Sequence, residues 1–336
     1  MLAPFLVLQL VATPATPSDP LAFFAPTITM TEDDRRQLER GMPVTRVLPG
    51  RDLEVAVFAA LPVDVDGDRL VAWMRRIEAL KKSAYVVAIG RFSDPPVIAD
   101  LDRLSLDDRE LSDIRKCRPG DCALKLSTHE MRLLQAVAAQ AGDSWKSALQ
   151  TAFRQVVLDR VRAFLADGTI AMYDDSDPPV SPGTRFNALI EHSSFLCANA
   201  PDFVGHLRQY PATIMPAIES FLYWSKEKLG GKPIISVTHV NILRGGANGT
   251  PDALVAGREI YATHYMNASL GITAIVTGRP GGPNYLAYIN RSEVDVLHGI
   301  FAGIVRHFMP RRLKAEAAGV LAGLRQRLER GGPPDS

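Results

Sequence analysis

Charge of one sign is what this chain most lacks. Its 336 residues carry 38 Lys and Arg against 37 Asp and Glu, a formal net charge of +1. Nucleic-acid binding normally leaves a basic face in the sequence, so this balance argues against a nucleic-acid partner. Long apolar runs are missing too. Nothing approaches the roughly 18 uninterrupted apolar residues of a transmembrane helix. Cysteine is scarce, with three residues, too few for a four-thiolate zinc site. Catalytic signatures are absent as well. There is no Gly-x-Ser-x-Gly elbow. There is no P-loop, no Gly-x-Gly-x-x-Gly fingerprint, and no His-x-x-x-His or His-Glu-x-x-His spacing. The sequence therefore calls for no cofactor and no metal, and leans away from an enzyme.

What is present is an ordinary globular balance, 46% apolar and 22% charged, in a chain long enough to bury a sizeable core. Leu2 to Ala12 is an uncharged apolar run, followed by Thr- and Pro-rich residues to Pro20. Its length suits a signal-peptide core, although no Lys or Arg precedes it. Residues 1–30 are read as a leader, and the protein as periplasmic or secreted. Cys117 and Cys122 frame a Pro-Gly turn, which favours a disulfide in an oxidising compartment over a half metal site or two thiols. Cys197, in an apolar stretch, is expected as a buried free thiol.

Residues 31–126 read as an α+β part. Thr31 to Asp34 has the form of a capping box, and the helix it opens should stop at Gly41-Met42-Pro43. Val44 to Ala60 is extended, with a turn at Pro49-Gly50. Asp64, Asp66 and Asp68 invite a calcium-loop reading, but the glycine is misplaced for one, and N-capping of a helix from Asp66 to Leu80 explains them better. Tyr85 to Phe92 is a strand, and Cys122 to Leu126 a further short one. Residues 127–216 are mostly helical, with apolar steps of three and four. From Ser220 the period changes to two. Five strands with short connections are expected up to Asn290, which argues antiparallel pairing. Ser292 then reads as the cap of a long helix, with its stripe at Leu297, Phe301, Ile304, Phe308, Leu313, Ala317, Val320, Leu324 and Leu328. Pro310 should kink or divide it. Residues 217–330 are expected to form one compact domain with 31–126.

This order of elements, over Val44–Tyr85 and Ser220–Leu328, resembles the helix-grip fold of START-like proteins. The helical stretch from Ser127 to Pro216 departs from that pattern as a large insertion. The resemblance implies an α+β fold with an antiparallel sheet packed on a long C-terminal helix. It also implies an apolar cavity between them that takes a hydrophobic or amphipathic, lipid-like molecule.

Candidate site residues lie in the late strands. His239 and His264 are the catalytic candidates. A symmetrical turn would pair position 239 near 263, and a one-residue slip decides whether the two share a face. Tyr223, Tyr288, Asn290, Arg291 and Phe301 are the ligand-binding candidates. Arg291 is equally suited to a salt bridge with Glu219, Glu227 or Glu259. The leading reading is an exported small-molecule-binding protein. The alternatives are a hydrolase using His239 and His264, and a structural or interaction protein of the envelope.

Overall fold

The structure, a computed structural model, describes residues 19–229, 232–245, 250–295 and 302–333, without the side chains of 229, 302–313 and 316. The apolar run of the expected leader, the side chain of Phe308 and all of Leu297 and Phe301 lie outside the described residues.

Strands β1 (Val44–Leu48) and β2 (Glu54–Val63) form a hairpin around the Pro49-Gly50 turn. Ahead of them, Thr31 caps α1 (Glu32–Glu39) in the expected box with Asp34. After β2, the Asp66 side chain accepts from the Arg69 amide and caps α2 (Gly67–Arg75). Asp68 pairs with Arg244 instead of joining a cation loop. Arg76 leaves helical geometry, so a second short helix, α3 (Ile77–Lys81), follows where one helix was expected. Strand β3 (Val86–Arg91) comes next. The remaining strands are β4 (Ile218–Leu229), β5 (Lys232–Arg244), β6 (Ala253–Ala262), β7 (Met266–Val276) and β8 (Asn284–Val294). All pair antiparallel in the order β1-β2-β8-β7-β6-β5-β4-β3. One eight-stranded sheet thus draws on both ends of the sequence.

Both faces of this sheet are covered. On one face lie α2, α3 and the last helix, α10 (Ala302–Glu329). Val57, Ala59 and Leu61 of β2 pack there with Leu70, Val71, Leu321 and Leu328. We call this the α10 face. On the other face lies the helical middle: α4 (Asp108–Ile114), α5 (Thr128–Gln140), α6 (Trp145–Asp167), α7 (Pro182–Glu191), α8 (Ser194–Asn199) and α9 (Pro201–Gln209). α7 crosses β6, β7 and β8, and Phe186 and Leu189 meet Ala256, Ile272 and Ile289. We call this the α7 face.

Several expectations need correction. Residues 19–30 are not all leader: Leu21, Phe23, Phe24, Ile28 and Met30 are buried in the core of the α7 face. Cys122 to Leu126 is irregular rather than a strand, and its Lys125 amide donates to the Thr263 carbonyl. β8 runs on to Val294, so Ser292 is a strand residue and caps no helix. α10 is one helix through Pro310, not two. Its inward stripe passes through Leu321, leaving Val320 exposed. The half that covers the sheet with described side chains is the second, through Ala317, Leu321, Leu324 and Leu328. The Cys117–Cys122 disulfide is formed, closed by a turn with Arg118 opposite Asp121. Cys197 is free but exposed, because its side of α8 points away from Phe195 and Leu196.

Candidate functional site

Interior strands with helices over both faces should be buried on both sides. On the α7 face β6 to β8 obey this: Ala256, Arg258, Leu270, Ile272, Ala274, Ala287 and Ile289 are all buried. On the α10 face they obey it at one end only, where Val255, Ile242, Ile275 and Leu286 pack under α2 and α10. Toward the other end Gly257, Glu259, Ser269, Gly271, Tyr288, Asn290, Thr238 and Ser236 all keep accessible surface. Gly257 and Gly271 face each other across β6 and β7, and Gly271 also faces Asn290. Neither glycine has a positive φ. Among the described residues a Cβ at Gly271 would meet nothing nearer than Asn290 Nδ2 at 4.0 Å. Glycine inside a strand is unfavourable unless something approaches it closely. Here Gly271 is bare, while at Gly257 a Cβ would stand 3.3 Å from the Thr238 methyl; together they make a low floor in the middle of the sheet.

Polar groups stand around that floor. On one side Ser269 and Ser292 share a hydroxyl contact of 2.8 Å, Asn290 Nδ2 donates to Ser269 at 3.3 Å, and Ser292 donates to Asn290 Oδ1 at 2.9 Å. On the other, Tyr223, Thr238 and Glu259 lie in register across β4, β5 and β6. Lys81 Nζ, reaching in from α3, meets Glu227 Oε1 at 2.5 Å and the Tyr223 hydroxyl at 3.2 Å. Ser225 donates to the same carboxylate at 2.7 Å. Burial alone would lower the Lys81 pKa, but Tyr223 and Glu227 outweigh it and raise the ammonium above its usual value. Burial likewise pushes Glu227 up, and the opposing pull of Lys81 and Ser225 leaves it below the carboxylate norm. Lys81 and Glu227 are a satisfied pair.

Glu259 is not satisfied. Among the described residues its carboxyl has neither a hydrogen bond nor an ion pair. Burial, with Glu227 nearby, pushes it up to about 8 against the weaker pull of Lys125 and Lys81. It is deep enough to lose hydration yet retains accessible surface, as a group lining an enclosed space does. At neutral pH it is mostly a protonated acid able to donate, and with a cation beside it a carboxylate. Tyr288, on the same face, is pushed up to about 12, chiefly by burial.

The sequence candidates divide between the two faces. Tyr223, Tyr288 and Asn290 sit on the α10 face around the glycine floor. Arg291 sits on the other face, buried, with Nη1 on Glu54 and on the Pro49 carbonyl. His192 Nδ1 meets the second oxygen of Glu54 at 2.5 Å. Arg291 therefore makes a salt bridge, but with Glu54 and not with Glu219, Glu227 or Glu259. His239 lies opposite Arg258, not residue 263, because the β5–β6 hairpin pairs Arg244 with Ala253 instead of turning about residue 251; the register shift between Val237 and Thr238 moves the pairing by only one residue. It is buried against Phe164 and Tyr210, in a chain where Asn241 links it at 3.3 Å to His206 at 2.9 Å. Burial, then Arg258 and His206, depress it to about 3. His264 follows the end of β6 and bonds Glu110 of α4 at 3.0 Å. The two histidines are thus in separate buried networks. Glu259 and the two glycines were missed as site residues. The signal for them was Gly257 and Gly271 at alternating positions inside strongly apolar strands.

No family model matches the chain, and no curated protein matches it. Solved structures do. A protein of Thermus thermophilus is similar at 12% identity and a TM-score of 0.26, over 44% of this chain and 90% of that one. The Zhui aromatase/cyclase from a Streptomyces species is similar at 12% identity and 0.23, over 45% and 88%. Ara h 8.0201 is similar at 8% identity and 0.19, over 45% and 92%.

Proposed function

We propose that this protein binds a small amphipathic molecule on the glycine floor of the α10 face. One observation carries the reading: interior strands that are sealed on the α7 face keep accessible surface around Gly257 and Gly271 on the other. A floor of glycine and Val240, with polar groups at its edges, is what an orienting small-molecule site requires. We also place the protein in the periplasm or outside the cell. The support is the N-terminal apolar run and the Cys117–Cys122 disulfide, a bond that persists in oxidising compartments.

The test is calorimetric titration with 1-dodecanol, a neutral amphiphile, against the natural chain and Gly271→Leu. Saturable binding to the first, weakened at least tenfold by a side chain that fills the floor, is the expected result. Equal affinity in both, or no binding to either, sinks the proposal.

A further inference from the structure

Building on that binding reading, we propose that the bound molecule carries an amine, held as its ammonium against the Glu259 carboxylate. The charged and titratable groups around the floor, among the described residues, are few. Lys81 comes from α3, Tyr223 and Glu227 from β4, Glu259 from β6 and Tyr288 from β8. Lys125 acts from farther off. Lys81 and Glu227 neutralise each other at 2.5 Å. That leaves one carboxyl without a counter-charge, facing accessible space from an interior strand.

The chemistry of the occupant follows by comparison. A wholly apolar molecule would remove the last water from Glu259 and give nothing back, at a cost of kcal/mol order. A carboxylate or phosphate would add negative charge beside Glu227 and Glu259. An ammonium supplies the missing partner, and charge-assisted hydrogen bonds to a carboxylate are roughly twice as strong as neutral ones. The tyrosine rings add to this. Lys81 Nζ already sits 5.1 Å from the centre of the Tyr223 ring, the arrangement in which an aromatic face attracts a cation. A primary or secondary amine on a chain or ring long enough to cross the glycine floor meets all of these conditions. A neutral hydroxyl, accepting from the protonated acid, is the competitor.

Pairing with an ammonium needs the carboxylate, so binding expels a proton wherever Glu259 is protonated beforehand. Affinity for an amine then rises with pH up to the value of that acid and is flat above it, while affinity for an alcohol does not rise.

The experiment is calorimetry from pH 6 to 9 with dodecylamine, 1-dodecanol and dodecanoate, each below its micelle concentration, on the natural chain and Glu259→Gln. Expected is an amine affinity at least tenfold above the alcohol's at pH 8.5, with dodecanoate weakest. That affinity should climb about tenfold per pH unit until near pH 8. In Glu259→Gln, checked by its melting curve, amine and alcohol should bind alike. If the variant does not fold, the pH slope of the natural chain decides by itself. Equal binding of amine and alcohol to the natural chain, a flat pH profile, or an amine preference surviving Glu259→Gln overturns the assignment and leaves the binding site standing. Failure of all three probes to bind overturns both.

Discussion

Arg258 and Glu259 are consecutive residues of one strand, and they meet opposite environments. Arg258 points to the α7 face, where the Leu207 carbonyl accepts from Nη1 at 2.8 Å. Its guanidinium lies 4.4 Å from the centre of the Phe186 ring and 5.4 Å from that of Phe164. Among the described residues no acid balances it, and burial lowers it to about 10, but its surroundings are filled. Other charges on that side of the sheet are closed in pairs. Arg160 grips Glu130 through two bonds of 2.7 and 2.6 Å, Arg291 holds Glu54, and Lys125 reaches Asp295 at 2.9 Å. Glu259 points the other way, onto the glycine floor, and has no partner among the described residues. The α7 face uses its polar groups to fix the helical middle to the sheet. On the α10 face the Glu259 carboxyl is left uncommitted among the described residues, as are the Thr238 and Tyr288 hydroxyls. A carboxyl withdrawn from water without a hydrogen-bond partner is costly even when protonated, so its place beside open floor points to something outside the chain.

Breaking a pair on the packed face should have the largest effect. Glu130→Ala leaves the Arg160 guanidinium buried alone. It should cost about 3–5 kcal/mol in urea unfolding; a loss under about 1 kcal/mol would show that the α7 face is looser than described. Next come neighbours in β7. Ile272→Ala, on the packed face, should cost about 2–5 kcal/mol. Gly271→Ala, on the open face, should change stability by no more than about 0.5 kcal/mol in either direction. Similar costs for both would erase the difference between the faces.

Two pH effects sharpen it further. His239 is depressed to about 3 from an ordinary 6.5. Below 6.5 the unfolded chain takes up a proton that the folded chain refuses. The stability given by the neutral, buried ring is therefore full above 6.5 and is lost as pH falls toward 3, at about 1.4 kcal/mol per pH unit. Comparing unfolding of the natural chain and His239→Gln across that range should show this slope in the first only. Glu259 runs in the opposite sense. Its folded value is raised, from 4.5 to about 8, so the folded chain holds a proton that the unfolded chain has released. Stability is full below 4.5 and is lost as pH rises through 8. Glu259→Gln should therefore be more stable than the natural chain at pH 8, by on the order of 4 kcal/mol, with the gap closing at pH 4. An unchanged gap would mean that Glu259 has a partner after all.

Much of the fold was legible because its signals are local. The box at Thr31, the cap at Asp66 and the period-two stretches from Ser220 onward all rest on neighbours in sequence. Where two local signals competed, the wrong one was preferred. Ser292 with Asp295 has the form of a helix cap, yet Ser292 extends β8, because its hydroxyl pairs with Ser269 across the sheet. The site was harder to read because it depends on which face each residue takes. The shift between Val237 and Thr238 puts Glu259 beside Thr238 and Tyr223. Without it, one residue of slip would send Glu259 to the packed face and Ile260 to the open one. The helical middle could be counted but not placed, since an amphipathic helix does not say which surface it covers. Its position makes the α7 face solid and takes His239 and His264 out of reach of solvent.

On the reading proposed above, a ligand sits on the α10 face and not on the α7 face. Backbone amide shifts of the isotopically labelled protein, followed during titration with 1-dodecanol, distinguish the two. Shifts should be concentrated at Gly257, Glu259, Gly271, Tyr288 and Asn290, saturating together. Amides of Arg160, Phe186 and His206, on helices beyond the sheet, should stay still. Shifts centred on α6, α7 and α9, or spread evenly over both faces, would contradict it.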